Sequence, residues 1–451
     1  MGWITLLPAL AAILIGIWKR EVILSLLVAL YFSEILLAGN NPVLGFIGLL
    51  ERITAVFQSE SNTQILLFSI LVGALLVYMN QSGGVSACVQ VLTRAGFTQT
   101  PRRVGLLTAF VGIVIFIESN MSMLVAGILS RPLFDKFQMS RARLAYFVDS
   151  TCAPVSILIL LNGWGAYLLG LLTEQGFAEP IAILVMSIPL NFYAIITLAL
   201  VFYTAITHRV YGPLQYSETR REEDLEEEHI APTRARYMWL PLLIMVSAVL
   251  FFLGYTGNGD LLAGSGSSAI FWGTALATLV AYILLLKDRV YSHERLITLG
   301  FEGMGKLLPV VTTVLLALAL SASMGVLGTG EFVAQIVEPS LPPPFIPVLV
   351  FIVAGLISFT TGTSWGTFGI MIPIALPLAQ AVELPPAFIL SALLGGGVFG
   401  DHCSPISDTT LISSLAAGCD HLEHVQTQLP YALSVAGVTL LLYFVTTWLL
   451  W

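Results

Sequence analysis

Eight stretches of this chain are apolar over roughly the length a helix needs to cross hydrocarbon, about 20 residues. They lie near 3–18, 21–38, 64–80, 181–206, 238–256, 268–286, 307–328 and 430–450. Only 10% of the residues are charged and 57% are hydrophobic, whereas soluble domains carry about 25% charged residues. Two or three soluble domains of this total length could not cover their surfaces with so little charge. The chain therefore reads as an all-α polytopic membrane protein, and a soluble enzyme is excluded. The segment 3–18 lacks a basic start and a small-residue cleavage site, so it is expected to be a first span rather than a removable signal. The four cysteines show no disulfide framework.

Basic residues near helix ends set the orientation. All 19 Lys and Arg lie at or before Lys306. The sets at Lys19/Arg20, Arg94 to Arg103, Arg131 to Arg143, Arg209 to Arg236 and Lys287 to Lys306 are expected on the cytoplasmic side, with Arg52 alone opposite. Both termini then lie outside. The acidic stretch within 207–237 is a solvated cytoplasmic loop, and the net charge of -8 gives no reason to expect nucleic acid as a partner. For this orientation to hold, 104–134 must enter from the cytoplasm and return to it. Each arm is too short to span, so the segment is expected to be a re-entrant hairpin with its tip at 118–122.

The two halves resemble each other. CAPVS at 152–156 recurs as CSPIS at 403–407, each shortly after an aspartate, Asp149 or Asp401. Both halves read as three helices, a re-entrant hairpin, a discontinuous helix and a closing helix. The first runs over 1–206, with hairpin 104–134 and broken helix 142–173. The charged linker 207–237 joins it to the second, 238–451, with hairpin 345–381 and broken helix 387–417. Five crossings per half is an odd number, so the second copy is expected to be inverted.

Inverted repeats with interrupted helices point to a secondary transporter whose site lies where the interruptions meet. An acid in a membrane helix costs roughly 2.5–3.5 kcal/mol on insertion scales and marks function by default. Glu118, Asp149, Asp401 and Asp408 are therefore the candidate ion-binding and proton-exchanging groups, although each could instead cap a half-helix. Around them Asn120, Ser122, Ser150, Thr151, Thr363, Ser364, Ser404 and Ser407 offer oxygen, the donor that hard cations prefer. No Lys or Arg falls within the interruptions, so a transported cation or proton is the natural counter-charge. A buried carboxylate close to another holds its proton nearer neutral pH, so sodium and protons are expected to compete for shared oxygens, with Asp149 and Asp401 as the exchanging pair. No resident cofactor is expected. His402, Cys403, Cys419, His421 and His424 fit no zinc spacing, and His421 and His424 read as polarity between helices.

At these residues the chain resembles the NhaC family of sodium/proton antiporters. The likeness is carried by GDHCSPISDTT at 400–410, CDH at 419–421, HVQTQLPY at 424–431, RARLAYFVDSTCAP at 141–154 and TGTSWGT at 361–367. It extends over about 60–435, with Gln426 a departure where such sequences are often basic. The resemblance implies a bacterial cytoplasmic membrane, sodium and proton as partners alongside the lipid bilayer, a two-hairpin ion-transporter architecture and often a homodimer. It also admits relatives that exchange organic anions. The competing expectation is thus a sodium- or proton-coupled transporter of a small carboxylate or amino acid, which should meet a cationic side chain or a half-helix N-terminus. A membrane enzyme would need a nucleophile–base pair that these breaks lack.

Overall fold

Where the apolar runs are cut, the cuts have local causes, and these causes position the site. The computed structural model describes residues 2–19, 21–92, 99–116, 119–218, 231, 233–261, 264–337, 341–405 and 407–450. Among them the only regular elements are helices. Six are long and apolar enough to cross a membrane: Glu60–Gln81, Pro180–Thr207, Arg236–Thr256, Gly266–Lys287, His293–Leu327 and His421–Leu449. A bent pair, Val22–Leu37 and Pro42–Val56, turns through 119° and would make a seventh span if counted as one. The chain is a multi-pass membrane protein.

Helix Pro42–Val56 is absent from the sequence reading because Glu51 and Arg52 interrupt its apolar run. The structure shows why it forms. Asn41 caps it, accepting from Val43 N and Leu44 N at 3.0 and 3.2 Å, and Pro42 sits in the first turn, where its missing N–H costs nothing. Arg52 Nε donates to Glu34 Oε1 at 2.7 Å across the bend, and Ser323 Oγ donates to the same oxygen at 2.7 Å. The charge is thus paired inside the fold. The helix that was expected near 307–328 begins much earlier, at His293, where Ser292 caps it through Arg295 N.

One succession of elements occurs twice. Glu60–Gln81 is followed by the short Gly84–Leu92, the helix pair Pro101–Val114 and Ser119–Lys136, the broken pair Arg141–Ser156 and Gly163–Glu174, and the closing helix. His293–Leu327 is followed by Thr329–Val337, the pair Phe345–Thr361 and Ser364–Ala381, the broken pair Pro386–Cys403 and Asp408–Ala417, and the C-terminal helix. Each interruption has its chemistry. Asn162 fills the first broken helix: Nδ2 donates to Ser156 O and Ile159 O at 2.9 and 2.7 Å, while Oδ1 accepts from Gly165 N at 3.0 Å. Backbone groups freed by the break are thereby satisfied without water. Gly362, at φ +71°, ends Phe345–Thr361 in the left-handed conformation that glycine adopts without strain.

Packing then brings the interrupted elements together. The half-helix Asp408–Ala417 lies against Ser119–Lys136 and Arg141–Ser156. There Arg131 Nη2 donates to the terminal carbonyls of Leu415 and Ala416 at 2.8 and 2.9 Å, which suits the negative end of a helix. Gly163–Glu174 lies against Ser364–Ala381, where Tyr167 stacks on Trp365 at 5.1 Å and donates to its carbonyl at 2.9 Å. Around this centre, Glu60–Gln81 packs on His293–Leu327 with Gly73 and Gly303 backbone to backbone. Gly400 likewise touches Gly355, where an added Cβ would lie 2.2 Å from the carbonyl oxygen.

Candidate functional site

Asp401 stands in the last turn of Pro386–Cys403, 1% exposed. Ser364, at the start of Ser364–Ala381, donates from Oγ to its Oδ2 at 2.8 Å. Ser407, the N-cap of Asp408–Ala417, donates to its Oδ1 at 2.5 Å and lies 2.9 Å from Thr409 Oγ1. Thr410 Oγ1 donates to the Asp401 carbonyl at 3.3 Å. One carboxylate therefore joins the second hairpin to both pieces of the broken helix through hydroxyl groups. It lies on the wall of a cavity of ≈ 350 Å³ that Thr361, Thr363, Thr409, Trp164 and Trp365 also line. No described residue lining that cavity carries a basic side chain.

Asp149 is in a different place. It is fully buried, does not line that cavity, and meets nitrogen donors. Gln428 Nε2 donates to its Oδ2 at 2.6 Å and His424 Nε2 to the same oxygen at 3.3 Å. His402 Nε2 lies 3.1 Å from the Asp149 carbonyl and 3.8 Å from Oδ1. A carbonyl only accepts, so Nε2 of His402 carries a hydrogen; its Nδ1 then accepts from Tyr193 Oη at 3.4 Å. The repeat register explains why the two aspartates part. With Cys152 set against Cys403, Asp401 falls opposite Ser150 and not Asp149. One residue on a helix is a rotation of about 100°, so the two carboxylates leave their helices on different faces.

The other candidates divide. Thr363 lines the cavity, and Ser364 and Ser407 hold Asp401. Ser122 Oγ donates to Gly112 O at 2.8 Å and lies 3.1 Å from Cys152 Sγ, tying the first helix pair to the first broken helix. Ser404 Oγ donates to Phe359 O at 2.7 Å, and Thr151 Oγ1 to Phe147 O in its own helix at 2.8 Å. Ser150 is buried. Glu118 lies outside the described residues, as do the side chains of Asn120 and Asp408. Sequence reasoning missed His402, His424 and Gln428 as neighbours of Asp149. The available signal was the spacing of His424, Gln428 and Tyr431, which places all three along one helix face.

Broken helices that meet around a buried carboxylate, inside a bundle of membrane-length apolar helices, are the build of a secondary transporter. Residues 144–448 match the model of the Na+/H+ antiporter family, and the chain belongs to that family. An uncharacterised protein of Haemophilus influenzae is 32% identical over 98% of this chain and 90% of its own length. The malate-2H+/Na+-lactate antiporter of Bacillus subtilis is 29% identical over 29% of each chain. Among solved structures, the Alcanivorax borkumensis YdaH transporter superposes with a TM-score of 0.62, covering 89% of this chain and 88% of its own. At 15% identity that likeness speaks for the fold alone. The protein is a transporter of antiporter type, not an enzyme.

Proposed function

We propose that the protein exchanges sodium ions for protons across the bacterial cytoplasmic membrane by alternating access, with Asp401 as the cation ligand. The observation that carries this reading is that Asp401 stands on a cavity wall and that Ser364 and Ser407 hold both of its carboxylate oxygens through hydroxyl groups. Ser364 and Ser407 can each turn a lone pair toward a cation, and an acid buried in a membrane helix marks an ion or proton site by default. In this reading the halves 1–206 and 238–451 run in opposite senses through the membrane. The linker 207–237 is cytoplasmic, both termini are outside, and the unit is a homodimer embedded in lipid. Asp149 belongs to the exchange as a proton-bearing group, and Asp408 and Glu118 complete the acidic set.

The test is sodium-driven proton flux in proteoliposomes of the purified protein. A sodium pulse should shift the internal pH, and Asp401→Asn should abolish the shift while the protein still inserts. Absence of any sodium-driven shift in protein that retains sodium binding would refute the exchange.

A second reading, coupled transport of a small carboxylate or amino acid, is favoured by cavity size. Its ≈ 350 Å³ falls among small-ligand pockets of about 300–1,000 Å³ and far exceeds what one ion fills. The Bacillus subtilis relative, named for malate and lactate, lends it support. The absence of basic side chains among the described lining weighs against an anion. Adding malate, lactate or amino acids to the flux assay separates the readings, since only the second requires them.

A further inference from the structure

We propose that the proton is held at a site distinct from the cation's, the buried pair Asp149–His424, with Gln428 and His402 as positioning residues. This rests on the sodium/proton exchange above and adds where its proton resides. The argument begins with donor chemistry. At Asp401 the described side-chain partners are hydroxyls, which donate or accept as needed. At Asp149 they are all N–H groups. Gln428 Nε2 is bound both to Asp149 Oδ2 and, at 3.0 Å, to the carbonyl of His402. Two acceptors fix the amide with its NH2 toward the carboxylate and its oxygen turned away. His402 is fixed likewise, with Nε2–H against the Asp149 carbonyl. Toward the Asp149 carboxyl and carbonyl these two side chains present hydrogens rather than lone pairs, the arrangement that cradles a carboxylate sharing a proton.

His424 supplies the sharing partner. Its imidazole and the Asp149 carboxyl are both fully buried and 3.3 Å apart. Their outer atoms, His424 Nδ1 and Asp149 Oδ1, have no hydrogen-bond partner. With one extra proton the pair is neutral overall, as imidazolium with carboxylate or as imidazole with carboxylic acid. Without it, a lone negative charge sits in the interior, which is costly. The other titratable groups turned toward the pair are His402, Cys403 and Tyr193, with Tyr146 and Arg143 farther along Asp149's own helix. Asp401 and His402 are consecutive, so a cation arriving at Asp401 compensates the charge left when the pair releases its proton. Exchange then follows from charge balance between two adjoining sites.

The experiment compares two readouts on full-length protein in proteoliposomes: sodium-driven proton flux, and exchange of radiolabelled sodium for sodium across a pH series. His424→Gln should lose the proton flux yet retain sodium self-exchange, and that self-exchange should lose its dependence on pH. Asp149→Asn, of the same shape as the native residue, should do the same and carries the test should His424→Gln fail to insert. Asp401→Asn should lose both activities. Wild-type proton flux and pH profile in His424→Gln would overturn the separate proton site while leaving the exchange reading intact. So would loss of sodium self-exchange in both well-inserted variants. Wild-type protein with no sodium-driven proton flux would overturn the exchange reading, and this inference with it.

Discussion

Two of the four glycines in helix His293–Leu327, Gly303 and Gly305, stand two positions apart, and for them the structure dictates opposite outcomes. A Cβ built on Gly303 would lie 2.3 Å from the Gly73 carbonyl oxygen and 2.8 Å from its carbon. Ordinary contact begins at 3.4 Å, so Gly303→Ala forces the two helices apart by about 1 Å. Overpacking of this kind costs about 1–3 kcal/mol. Replacing glycine in a helix by alanine returns only about 0.5–1 kcal/mol through reduced chain freedom. Gly305 has nothing within 4 Å of its added Cβ, so Gly305→Ala keeps the gain and meets no obstacle. Thermal unfolding in detergent, followed by intrinsic fluorescence, should therefore place Gly303→Ala below wild type and Gly305→Ala at or above it. Gly73→Ala should match Gly303→Ala, because its Cβ would lie 2.4 Å from the Gly303 oxygen. Equal midpoints for Gly303→Ala and Gly305→Ala would refute backbone contact at this crossing.

Ser364→Ala and Ser407→Ala should each raise the half-saturating sodium concentration by about ten- to a hundredfold, since a hydrogen bond to a charged group contributes about 1.5–3 kcal/mol; unchanged sodium titrations would remove them from the site. Arg131→Met should lower the unfolding midpoint by the equivalent of about 1–3 kcal/mol, because the Leu415 and Ala416 carbonyls lose a shared donor; a midpoint equal to wild type would show that the cap is dispensable. Arg52→Met should destabilise by about 1.5–3 kcal/mol, the worth of a hydrogen bond between charged groups, leaving Glu34, 6% exposed, without its cation. Adding Glu34→Gln should restore most of that loss, and failure of the double variant to recover would locate the effect in packing.

Much of the fold was legible because hydrocarbon restricts a chain to few solutions. Apolar runs gave the long helices, and the polar interruptions near 362 and 405 coincide with real breaks. The one read at 149–154, by contrast, remains helical through Pro154, and the break falls after Ser156, where Asn162 satisfies the freed backbone. Pro42–Val56 was hidden because the partner that makes Arg52 tolerable, Glu34, belongs to another helix. The site was legible in part for the same reason. Asp401, Ser364 and Ser407 stand beside breaks, and local chemistry marks them. His424 and Gln428 stand in a polar helix start, and their contact with Asp149 spans more than 270 residues of sequence. No periodicity within one helix reports a pairing made by tertiary folding.

The last turn of Pro386–Cys403 gives three consecutive residues three different duties. Gly400 presses backbone to backbone on Gly355, Asp401 faces the cavity, and His402 reaches the Asp149 carbonyl. A helix turn is rigid, so none of the three can be re-aimed without moving the other two. This constrains how the protein can be re-engineered or can diverge. A lineage or a designer seeking a different cargo has little freedom in this turn. The accessible positions are Thr363 and Ser364, which reach the same cavity and carboxylate from a separate element. Changes of selectivity should therefore accumulate on the second hairpin, while the turn at 400–402 stays as it is.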